Sequence, residues 1–507
     1  MMRKLLLILI AVFIMPGLFA QSGLRPRGDV NCDWRLSIDD LTELIGMLLD
    51  GVEYNAFYTY AADINNDQEI SVEDVTSLIN GLLKDSLTPM PSFSGSLPVF
   101  YINTEDYCDI VSKDDYLNAD WWLDAMGVEG YESIGSADAP LRMQVKGHGN
   151  YTWNSYDKKS LRIKLNEKQP LMGMHSNRHF CLLAHADDRL ARLKNTVGFE
   201  LSRRIGLAYT PAQEPVEVVL NGEYIGLYFL TEKIRVGKHR VNIEEPVDEN
   251  AAADTIDCGL LLEIDNNAKA GEYIWIYEVP GVTGWKNRIF FTHRSPESPT
   301  QGQRQWLKQY LAKVDTAIYN TDKTNREWEQ YIDIDTLAMY YIVGEIMDDL
   351  EYFAGSCYMY KHLGDSTKLI FGPVWDFGNA FQRWAIYGDV SFTHFFYEQP
   401  NSFNNHWIEE IAKFPHFQQV VKMRWRQFYR SSFNGLDLNR FVDEFVESIK
   451  PAFYADVVRW PQYDIDIQKK DFKIFIHRKI DWLNSQWGGD EIDPNPPEHH
   501  PLEESQH

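Results

Sequence analysis

The sequence predicts an α+β protein: one large domain, strand-rich in its first half and helical in its second, preceded by a small all-α module built on a repeated unit. Three observations carry this. A loop-plus-helix pattern occurs twice before residue 85. Period-2 alternation, the signature of strands, runs through RMQVKGHGN, SLRIKL, PVEVVLNG, EYIGLYFLTEKI and CGLLLEID. Helical spacing then takes over at Thr300–Tyr319, Ile334–Met347 and Asn404–Phe433, with one strand pair between, SCYMYK and KLIFGPVWDFG. Asp188 to Ile205 is a further expected helix within the strand-rich half.

The repeat comes first. DVNCDWRLSIDDLTELIGMLLDG starts at Asp29 and DINNDQEISVEDVTSLINGLLKD at Asp63, an offset of 63 − 29 = 34 residues. A calcium loop of the EF-hand kind places oxygen donors at positions 1, 3, 5, 7, 9 and 12. The first loop supplies Asp29, Asn31, Asp33, the backbone of Arg35, Ser37 and Asp40. The second supplies Asp63, Asn65, Asp67, the backbone of Glu69, Ser71 and Asp74. Each loop runs into an apolar helix face, Leu41, Leu44, Ile45, Leu48 and Leu49 in one, Val75, Leu78, Ile79, Leu82 and Leu83 in the other. The simpler alternative is a pair of Asx-rich turns that cap helices. Asp rather than Glu stands at position 12, and Trp34 and Gln68 replace glycine at position 6. With one helix after each loop and the pairing, the segment from Gly28 to Lys84 resembles a dockerin module. That resemblance implies two bound Ca²⁺ ions and a cohesin-like partner held on exposed helix faces.

Composition bounds the remaining possibilities. At 507 residues the chain accommodates one large and one small domain. A net charge of −25 argues against a nucleic-acid partner, which needs a basic footprint. Arg3 and Lys4 precede the apolar run Leu5–Ile14, then Pro16, Gly17 and Ala20 before Gln21. This reads as a signal peptide over 1–20 and an exported protein, secreted, periplasmic or at the cell surface, with no membrane span once the signal is cleaved. Cys32, Cys108, Cys181, Cys258 and Cys357 are scattered and form no CxxC pair, which argues against a zinc site or disulfide scaffold. The expected boundaries are 21–85 for the module, 86–98 for a Ser/Pro-rich linker, 99–488 for the large domain and 489–507 for a disordered tail.

Four clusters in the large region carry chemistry. In KGHGNYTW, Gly147, Gly149 and Asn150 sit between two strands; glycines there either admit phosphate to the backbone or make a tight hairpin. In KKSLRIKL, Lys159, Arg162 and Lys164 are cationic, while Arg162 and Lys164 alternate with Leu161, Ile163 and Leu165 as on a solvent-facing strand. The pair Asn221-Gly222 is a strong hairpin signal. Asp376, in FGPVWDFG, follows an apolar strand; it is either a Mg²⁺ ligand or a turn former.

In this order the clusters resemble the spore-coat protein H (CotH-like) kinase family. The residues that carry it are Gly147 to Trp153, Lys158 to Lys164, Ala186-Asp187-Asp188-Arg189 with Asn195, Asn221 to Lys233, Leu261 to Asp265 and Gly372 to Gly378. The resemblance runs from Leu141 to about Ser431 and implies an atypical protein-kinase-like, two-lobed domain that binds ATP and Mg²⁺ and phosphorylates protein. It places Glu232 at a hinge beside adenine, Asp376 on the metal, and Glu351 as catalytic base with Asp349 or Asp348 as alternatives. The chain departs from the family pattern at Glu351, at Ser356 near a second metal ligand, and at WDFG for WDFD. The changes at Glu351 and Ser356 motivate a second reading, a catalytically silent component of an extracellular assembly.

Overall fold

In this computed structural model the described residues are 28, 30–31, 37–50, 62–65, 67, 69–84, 93–245, 258–265, 268, 274–278, 288–364, 366–398, 406–431 and 435–488. The signal segment, much of the first calcium loop including Asp29, Asp33 and Arg35, and the tail lie outside them. Among the described residues no helix is long and apolar enough to cross a membrane.

Two matching helices, α1 (Ile38–Asp50) and α2 (Val72–Lys84), follow the two loops. Leu44, Met47 and Leu78 close a small core with Val30 and Ala62. The expected apolar faces divide in two. Ile45 and Leu49 of α1, and their repeat partners Ile79 and Leu83 of α2, stay 40%, 80%, 38% and 81% exposed.

Seven strands then form a closed barrel: β1 (Val99–Thr104), β2 (Leu117–Asp124), β3 (Leu141–His148), β4 (Ser160–Gln169), β5 (Asn177–Leu183), β6 (Gln213–Leu220) and β7 (Glu223–Glu232). Neighbours pair antiparallel except β1 with β6, whose parallel pairing closes the ring. Asn221 and Gly222, with φ of 53° and 84°, make the expected turn between β6 and β7. Inward-facing Leu161, Ile163 and Leu165 of β4 join Phe100, Trp121, Val145, Phe180 and Val218 inside the barrel. The Ser/Pro-rich segment meets the barrel at its end, where the Ser94 amide donates to Glu217 at 2.8 Å.

A second sheet has the order β12-β11-β8-β10-β9, from β8 (Leu260–Ile264), β9 (Ile274–Glu278), β10 (Arg288–Ser295), β11 (Cys357–Lys361) and β12 (Ile370–Phe371). The helices are α3 (Tyr151–Ser155), α4 (Leu193–Ile205), α5 (Gln301–Ile318), α6 (Ile334–Ile346), α7 (Gln382–Tyr387), α8 (His406–Ile411), α9 (Pro415–Ser431), α10 (Gly435–Arg459) and α11 (Ile465–Trp487). Outward-facing Cys181, Leu183, Leu227 and Phe229 of the barrel enter the main core with these helices. The helix expected from Asp188 begins only at Leu193. Ala191 and Arg192 hold φ of 56° and 61°, and the Asp188 carboxylate accepts the Leu190 and Lys194 amides at 2.7 and 3.0 Å instead of joining a helix. The single helix expected over Asn404–Phe433 is two, broken before Pro415, which opens α9 where its missing N–H costs nothing.

Candidate active site

The segment after β12 is held by one face of α4. Asn195 Oδ1 accepts the Phe377 amide at 2.7 Å, and Lys194 Nζ donates to the Gly378 carbonyl at 2.8 Å. Gly198, one turn on, lets the Phe377 ring approach so closely that an added Cβ would sit 2.2 Å from it. With Phe377 buried there, Asp376 turns through φ 56° and presents its carboxylate on the open side. A Cβ at Gly378 would lie 3.1 Å from Asp376 Oδ1 and 3.2 Å from Asp187 Oδ2. Two carboxylates from distant parts of the chain therefore flank one bare stretch of backbone.

Like charges gather at this point. Asp376 is open to water, yet the protein crowding round it, and then the Asp187 charge, push its carboxyl up to about 6. Asp187 is raised by burial, with Lys194 opposing. Glu351 is pushed up to about 7 by burial first and by Asp376 second. Its carboxylate accepts from Asn379 and lies over Gly355, where a Cβ would stand 2.6 Å from Oε1, so the bare glycine accommodates the longer side chain. Asp349 is buried, raised by its burial, and its Oδ2 has no hydrogen-bond partner. Asp265, at the end of β8, is paired with Arg294 at 2.8 Å. Among the described residues no three His, Cys, Asp or Glu side chains close into a metal cage. A pair is nevertheless the donor set that suits Mg²⁺, which binds through one or two carboxylates and takes its remaining oxygens from phosphates and water.

A family model, CotH kinase protein, matches residues 145–485. The chain belongs to the CotH kinase family. No curated protein matches it.

Within the CotH domain the remaining sequence candidates are placed as follows. The Gly147 amide is used by the Ser112 carbonyl at 2.9 Å, and its bare Cα makes room for the Trp153 ring, so it serves the hairpin and has no amide free for phosphate. Gly149 turns at φ 99°, and Lys113 Nζ donates to its carbonyl and to Asn150 Oδ1 at 3.1 and 2.8 Å. Lys159 Nζ donates to the Trp153 carbonyl at 2.6 Å and so ties down that loop. Glu232 accepts from the Tyr209 hydroxyl at 3.0 Å and the Ala212 amide at 3.2 Å. Asp348 is engaged with Lys479 at 2.9 Å and His394 at 3.1 Å and held down to about 2.

Arg162 and Lys164 do face outward, paired across the sheet with Lys146, Cys181 and His179. Burial, then Arg235, Arg162, Lys164 and Arg240, push His179 down to about 3. Arg162 Nε, His179 Nδ1 and Arg240 Nη2 are buried on this face without partners. Tyr209, Trp375 and Tyr358 pack around Ile234 and Val241 just after β7. Sequence reasoning quoted Asp187 and Asn195 as motif residues but gave them no role, and it missed Lys194. Only the fold brings them to Asp376.

In the N-terminal module, Asp40 and Asp74 close their loops identically. Asp40 accepts the Val30, Asn31 and Ser37 amides at 2.8, 3.2 and 2.8 Å, and Asp74 accepts those of Ile64, Asn65 and Ser71 at the same distances. The Asp67 amide donates to Asp63 Oδ1 and to Asn65 Oδ1, each at 3.0 Å, as in an Asx-type turn. By their chemistry the Asp, Asn and Ser oxygens of the loop are hard donors of the kind Ca²⁺ takes.

Proposed function

We propose that the CotH domain is an atypical kinase that takes ATP with Mg²⁺ and passes the terminal phosphoryl group to a protein hydroxyl of the Ser/Thr type. The observation that carries this is the convergence of Asp187 and Asp376 on the bare backbone of Gly378, beside Glu351. Asp187 and Asp376 would hold the ion, and its charge would offset that of the phosphates. The acceptor oxygen attacks phosphorus while its proton passes to Glu351. The bond to the bridging oxygen breaks, and ADP leaves with the electron pair. A carboxylate titrating near neutrality is matched to that task. The partnerless donors of Arg162 and Arg240 and the aromatics Tyr209 and Trp375 support contacts to phosphate and base. The barrel and the helical part are then the two lobes. The protein is exported, and a calcium-loaded dockerin-like module recruits it to a cohesin-like partner. The repeated exposed pairs Ile45/Leu49 and Ile79/Leu83 support that docking role.

Transfer of ³²P from [γ-³²P]ATP with Mg²⁺ to candidate proteins tests the reading, with Asp376→Ala as control. Labelling that is equal in the two proteins would sink it. The second reading, a catalytically silent component of an extracellular assembly, is motivated by Glu351 and Ser356 where the family pattern differs, and tight ATP binding with Mg²⁺ would count against it.

A further inference from the structure

The Ala186-Asp187-Asp188-Arg189 motif contains a charged group that nothing above employs. Asp188 is buried and binds two amides of its own loop. Arg192, fully buried, donates to the His185 and Asp188 carbonyls and pairs with Asp456 at 3.2 Å. The loop between β5 and α4 is thus clamped from within. Asp187 faces Asp376, and Arg189 stands half-buried beside Tyr156, Tyr463 and Asp187. Among the described residues the Arg189 guanidinium makes no hydrogen bond and no ion pair.

A guanidinium partly withdrawn from water, on a rigid loop, with its nearest carboxylate turned toward another acid, is short of an anion. Its planar fork suits two oxygens of one phosphoryl group better than a point charge would. We infer that Arg189 binds the non-bridging oxygens of the terminal phosphoryl group of ATP, next to the metal pair, and holds that group as it moves to the acceptor. Arg189 stabilises charge on the phosphoryl oxygens and exchanges no proton, because a guanidinium stays protonated. The inference rests on the phosphotransferase reading.

Calorimetric titration of the full chain with ATP and with ADP, both with Mg²⁺, separates the two. In Arg189→Gln, ATP affinity should fall about tenfold or more, the worth of a charge-assisted hydrogen bond, with ADP affinity unchanged. Arg189→Lys should recover part of the loss. Thermal melts check folding, and the Lys variant carries the test if the Gln variant is unstable. ATP and ADP weakening alike, or neither changing, overturns the role of Arg189 and leaves the kinase reading standing. A wild-type chain that binds neither nucleotide removes the kinase reading and this inference together.

Discussion

Glu351 concentrates the functional question into one side chain. Its folded carboxyl is pushed up to about 7 from an ordinary 4.5, by burial and then by Asp376. As a base it must be ionised, so transfer should rise with pH and level off above about 7. The stability consequence has the opposite sign. Between 4.5 and about 7 the folded state keeps a proton that the unfolded chain has released, so raising pH through that window costs stability. Glu351→Gln should cut transfer by about 10²- to 10⁴-fold and leave ATP binding in place. A pH–rate profile of the wild type, with binding measured on the variant, checks both; a rate flat from pH 5 to 8 would contradict the role. The sequence could point to Glu351 by its place in a motif. It could not show that Gly355 and Asn379 receive the carboxylate, since those contacts exist only once the turn has closed.

At the scale of elements, three parts of the chain meet on Asp456 of α10. It pairs with Lys158 at 2.5 Å and Arg192 at 3.2 Å, and accepts the Leu227 amide of β7 at 2.9 Å. Asp456→Ala would leave two buried cations facing each other without a counter-charge, at a cost of about 3–5 kcal/mol. Denaturant unfolding measures this, and a loss below about 1 kcal/mol would show that the network is relaxed by water. Elements with local signals were legible in advance: alternation put Leu161, Ile163 and Leu165 inside and Arg162 and Lys164 outside, and Asn221-Gly222 marked a hairpin. Features fixed by remote partners were not. The parallel pairing of β1 with β6 leaves no local pattern in either strand. The delayed start of α4 depends on left-handed Ala191 and Arg192, residue types that announce no turn. Asp187 gained its role only when α4 carried the loop to Asp376.

On the proposed reading the whole molecule would join two cation chemistries in one chain. Loops of Asp, Asn and Ser around Asp40 and Asp74 suit calcium, and the pair at Gly378 suits magnesium on a nucleotide. Among its described residues the module over 28–84 has a core of few side chains, so its folding should depend on bound calcium, whereas the large domain rests on its own extensive cores. Chelation should therefore melt the module alone, as a small loss of helical circular dichroism with the main thermal transition unmoved. A single cooperative loss of both would show that the module packs on its cargo. Calorimetry of ATP binding with and without Mg²⁺ in the wild type, Asp187→Asn and Asp376→Asn tests the carboxylate pair. Wild-type binding should depend on Mg²⁺ and be largely abolished by either substitution; binding that ignores Mg²⁺, or survives both substitutions unchanged, would rule out Asp187 and Asp376 as the metal-holding pair.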